Sequence, residues 1–88
     1  MSDYVFKGFD RKTALSRYGF RVRLTEDEIK DLASYDWYEK LRGMGNSFED
    51  DVERVAMDLH FKWSREYGTD VQVKVYSAGK TTPIMEVP

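Results

Sequence analysis

Apolar positions recur at two different spacings along the chain. From Ser47 to Gly68, residues Phe48, Val52, Val55, Ala56, Leu59 and Trp63 fall three and four apart. That spacing puts them on one face of a helix. Ser47 is placed to cap its start, with Asp50 three residues on to complete a capping box. Glu49, Asp50, Asp51 and Glu53 crowd the first turns, and Lys62 and Arg65 lie near the end, matching the helix dipole. Gly68 supplies the residue that stops the helix. At this length it spans roughly 30 Å, about the width of a small domain, so the rest of the chain packs along it.

The second spacing is two. Phe20, Val22 and Leu24 alternate with Arg21 and Arg23, and Val71, Val73 and Val75 alternate with Gln72, Lys74 and Tyr76. Both stretches predict half-buried strands with the valines, Phe20 and Leu24 inward. Residues 3–9 alternate loosely and predict a further strand. Between them, Asp10 can cap a short helical turn over 11–18 ended by Gly19, or the same residues can form a long hairpin loop. Thr25 and Glu28 form a second capping box, opening a helix with Ile29, Leu32 and Ala33 on its inner face. A bend or break is expected near Tyr35–Asp36, and Gly43–Asn46 form a short connection that sets the two helical segments side by side and antiparallel. Residues 77–80 read as a turn. The tail from 81 to 88 is either a short edge strand or a flexible end.

Strands at both ends of the chain with helices between them predict an α+β fold. Two main helices would pack on one face of a small, mainly antiparallel sheet. Composition agrees with one domain over 1–88, since 41% hydrophobic and 34% charged residues support one modest core.

Composition also removes several chemistries. With no cysteine, disulfides, cysteine-ligated zinc and a thiol nucleophile are excluded, and one histidine excludes a multi-histidine metal site. No apolar run approaches the roughly 20 residues of a membrane span. The first ten residues lack the layout of a signal peptide. A soluble, cytoplasmic protein without metal or cofactor is expected.

Charge is unevenly spread around a net of −2. Residues 1–24 hold six bases against two acids, and residues 25–60 hold eleven acids against four bases. Either the chain has one basic and one acidic surface, or the opposite charges pair within the fold.

No motif carries catalysis. Gly79-Lys80-Thr81 lacks the upstream glycine and the following helix of a phosphate-binding loop, and Pro83 forbids that helix. The four carboxylates that open the long helix outweigh the partial positive charge an anion would seek there. His60 and Ser64 share a helix face as a proton-transfer pair would, but no acid on that face orients the imidazole. The acidic clusters lack the spacing of a calcium loop.

Two surfaces remain. Met57 and Phe61 form an apolar i,i+4 pair on the side of the long helix opposite Leu59, near Glu49, Asp50 and Glu53, with Tyr38 from the preceding aromatic group as cover or extension. These residues predict a small non-enzymatic protein-binding module, a regulator or inhibitor in the style of a phage or mobile-element accessory protein, whose partner is another protein or a second copy of the chain. The alternative is a nucleic-acid-binding domain that uses Arg21, Arg23, Lys74 and Tyr76 on the outer face of the sheet.

Overall fold

The computed structural model describes the backbone of residues 3–13, 16–33 and 47–87, and the side chains of all of these except 16–18. The chain runs as strand β1 (Asp3–Asp10), strand β2 (Ser16–Thr25), helix α1 (Glu26–Ala33), helix α2 (Phe48–Tyr67), strand β3 (Val71–Ser77) and strand β4 (Met85–Val87). The strands form one antiparallel sheet in the order β2-β1-β3-β4, and both helices pack against it. The α+β fold is as the alternation and helical periodicities indicate.

Local chemistry accounts for the helix boundaries. Asp50 N–H donates to Ser47 Oγ and Ser47 N–H to Asp50 Oδ2, both at 3.3 Å, so two backbone donors at the start of α2 are satisfied reciprocally. At α1 the same exchange links Thr25 and Glu28. Gly68 ends α2 with φ 78°, and its N–H donates to the Ser64 carbonyl at 2.9 Å. A left-handed φ is free of steric penalty only for glycine.

Parity along the strands divides the sheet into two faces. Phe6, Val71, Val73, Val75 and Val87 are almost wholly buried beneath Ile29, Ala33, Val52, Val55, Ala56 and Trp63 from the helices. Each such side chain contributes about 1.5–3 kcal/mol by leaving water. Phe20 stacks on Trp63 with ring centroids 5.4 Å apart and meets the edge of Tyr67 at 5.7 Å. Room for this aromatic group comes from Gly8, directly beneath it.

Several expectations change. Among the described residues of the segment after Asp10 there is no helical turn. Residues 11–13 turn and Ser16 already begins β2, so the strands join as a hairpin, and residues 16–18 belong to β2 where the alternative had a long loop over 11–18. Asp10 does cap, but it caps the turn: its Oδ1 accepts from Lys12 N–H at 2.9 Å and its Oδ2 from Tyr67 Oη at 3.1 Å. Leu32 was expected inward and is 49% exposed, because α1 meets the core through Ile29 and Ala33 alone. In the tail, Met85–Val87 pairs with β3 as an edge strand. The expected bend near Tyr35, the Gly43–Asn46 connection and Tyr38 lie outside the described residues.

Candidate functional site

The outer face of the sheet carries the other half of the strand residues. From β1 it shows Asp3, Val5, Lys7 and Phe9, from β2 Arg21 and Arg23, from β3 Gln72, Lys74 and Tyr76, and from β4 Glu86. No described helix packs on this face. Arg21, Arg23, Lys74 and Tyr76 all project here, as the alternation in the two stretches indicates.

The register aligns the charges. Arg21 is the cross-strand partner of Lys7, and Lys7 is the partner of Lys74, so three cations stand side by side across β2, β1 and β3. Like charges directly opposite one another destabilise a sheet. Relief is partial. Lys74 Nζ lies 4.0 Å from Glu86 Oε1 on β4, and Arg23 pairs with Asp3 at 2.9 Å. Among the described residues no carboxylate pairs with Lys7 or Arg21.

Two rings flank the row. Lys7 Nζ sits 5.0 Å from the centroid of the Tyr76 ring, and Lys74 Nζ sits 4.7 Å from that of Phe9. Both rings, both lysines and Gln72 are half-buried, while Arg21 and Arg23 are exposed. The two halves are related by the local two-fold of the antiparallel pair, which carries Lys7-Gly8-Phe9 onto Lys74-Val75-Tyr76. Lys7, Phe9 and Val5 are absent from the sequence-level set, because the alternation in β1 is too loose to show which side faces the helices. A Lys-x-aromatic triplet present in both strands is the signal that could have found them.

The helix-side candidates separate. Glu49, Glu53, Met57 and Phe61 follow one another at i,i+4 and line one stripe of α2, about 18 Å long. Glu49, Asp50 and Glu53 are exposed, and the Asp50 carboxylate is engaged in the capping box. Phe61 is 59% exposed. Met57, expected on the side away from the core, is half-buried and packs against the core. The apolar patch is thereby reduced to Phe61, beside the His60 ring at 5.1 Å.

His60 and Ser64 share a structural task. His60 Nδ1 donates to the Val71 carbonyl at 2.7 Å, and the Val71 N–H donates to Ser64 Oγ at 3.0 Å. Both groups fasten the first residue of β3 to α2. Among the described residues no helix is long and apolar enough to cross a membrane, and no three His, Asp or Glu side chains converge as a metal site would need.

Comparison of the chain with protein-family models, with curated proteins and with solved structures gives no match.

Proposed function

We propose that this chain is a non-enzymatic binding module that holds single-stranded nucleic acid on the outer face of its sheet. One observation carries the proposal: the in-register row Arg21–Lys7–Lys74, bordered by the Phe9 and Tyr76 rings. A row of cations that, among the described residues, lacks carboxylate partners at two of its three positions suits a polyanion. Rings beside those cations suit unpaired bases, whose flat faces stack on aromatics while Lys and Arg meet phosphates. An acidic peptide would satisfy the cations and leave the rings unused. The net charge of −2 is no obstacle, because ten of the chain's acids belong to α1, α2 and their caps, on the other layer.

The test is titration with short single-stranded RNA and DNA, duplex DNA and polyglutamate at low and high salt. Single strands are expected to bind, with affinity falling as salt rises. An Arg21→Ala/Lys74→Ala variant is expected to lose about tenfold or more in affinity with a shallower salt dependence. Equal binding of polyglutamate and oligonucleotide would reassign the face to acidic proteins, and no salt-sensitive binding at all would remove the proposal.

A protein-binding role for the helical side is favoured by one feature, the exposed Phe61 at the end of the Glu49–Glu53–Met57 stripe. Its partner would present an apolar pocket next to basic residues. Phe61→Asp is expected to change thermal stability little, since the ring is mostly in water, and to abolish any self-association or capture of a basic partner. A loss of several degrees in melting temperature would show instead that the ring serves the fold.

A further inference from the structure

The two lysines and two rings make more than a charged surface. Each ammonium lies over one face of the ring diagonal to it on the neighbouring strand, so in the free protein that face is occupied by a cation of the same site. Bases cannot stack on those faces while the ammoniums remain. The ammoniums, at the ends of flexible stems, are the parts free to move.

We propose that Lys7 and Lys74 cover the rings and are exchanged when the strand binds. The phosphates draw the two ammoniums toward the centre of the site, and two bases take the ring faces the ammoniums leave. This rests on the nucleic-acid function above and specifies the segment bound. Phe9 and Tyr76 lie four residues apart in register on adjacent strands, which is about 13 Å along the sheet. At about 3.4 Å per stacked nucleotide the two bases are then separated by no more than about four steps. The bound segment is a base, an intervening stretch of phosphates over Lys7 and Lys74, and a second base. Arg21 extends the cationic side of this path toward β2, while Glu86 repels phosphate on the β4 side. The local two-fold interchanges the halves, so each ring receives one base.

The experiment uses the full chain and a series of single-stranded oligonucleotides of increasing length, each made both with bases and as an abasic backbone. Affinity of the base-bearing series is expected to climb to about five nucleotides and then level off. Abasic oligonucleotides of the same length are expected to bind about tenfold or more weakly, with the same salt slope. Phe9→Leu and Tyr76→Leu are each expected to remove a share of the difference between base-bearing and abasic binding. In proton NMR, the lysine ε-methylene signals that the rings shift in the free protein are expected to return to ordinary positions on adding base-bearing oligonucleotide. Equal binding of abasic and base-bearing strands, or lysine signals that stay shifted when the strand is bound, would overturn the exchange while leaving a phosphate-binding face intact. If no oligonucleotide binds, the exchange and the proposed function both fall. The wild-type comparison decides between these outcomes even if a leucine variant folds poorly.

Discussion

Gly8→Val is expected to abolish the cooperative unfolding transition of this domain. A Cβ built at Gly8 lies 2.7 Å from Phe20 Cβ, 2.9 Å from Trp63 Cε3 and 2.9 Å from Val71 Cγ1. Those three atoms come from β2, α2 and β3, so each escape route is occupied by a different element of the core. The nearest is a Cβ, which moves only with its backbone. Inserting even one carbon into a packed core costs about 1–3 kcal/mol, and valine adds two more carbons in the same space. A domain of this size has about 4–13 kcal/mol in total at the usual stability per residue. Circular dichroism during heating and in urea would record the loss. A variant that unfolds within a few degrees of the wild type would show that Phe20 and Trp63 can retreat and that the aromatic group is loosely held.

Lys7→Glu is expected to separate binding from stability. A glutamate at position 7 stands between Arg21 and Lys74, so two like-charge neighbours become two opposite-charge neighbours. Each such cross-strand pair is worth about 0.2–1 kcal/mol. The contact of Lys7 with the Tyr76 ring is lost, worth about 0.5–1 kcal/mol at a partly exposed site. The terms cancel or favour the variant, so its melting temperature should equal or exceed that of the wild type. Oligonucleotide affinity should fall by about tenfold or more, with a salt slope lower by at least about 0.7, the value for one phosphate contact. A sequence that keeps a lysine where glutamate folds as well is what a binding site requires. Wild-type binding by this variant, or a clear loss of stability, would show that the row is part of the fold and serves no ligand.

Much of the fold is legible because its causes are local. Ser47 with Asp50 and Thr25 with Glu28 act within one turn, and Gly68 acts on its own φ, so both helix starts and the end of α2 follow from neighbours in sequence. The outward direction of Arg21, Arg23, Lys74 and Tyr76 follows from alternation once the valines and Phe20 are taken as inward. The segment after Asp10 is different. Residues 11–18 have neither helical nor strand periodicity, and pairing of Ser16 with Phe9 across the hairpin decides the outcome. Leu32 departs from its expected burial, and Met57, for which cover and exposure were both open, is half-covered, for a related reason. Periodicity orients a helix only to within a stripe, and the angle at which α1 and α2 settle on the sheet selects which border residue is covered.

By itself the sequence determined both helices, their caps and the side of each clear strand that faces water, since each rests on interactions between residues two to four apart. Only the tertiary structure decided that β3 lies beside β1 and antiparallel to it. That choice is made by burial of Phe6 against Val75 and by the space over Gly8, which Phe20, Trp63 and Val71 fill. Its consequence on the opposite face is to bring Lys7 against Lys74 and to set Phe9 and Tyr76 on either side of them. Residues so far apart in the chain share no local signal. The candidate site exists because the packing of one face fixes the register of the other.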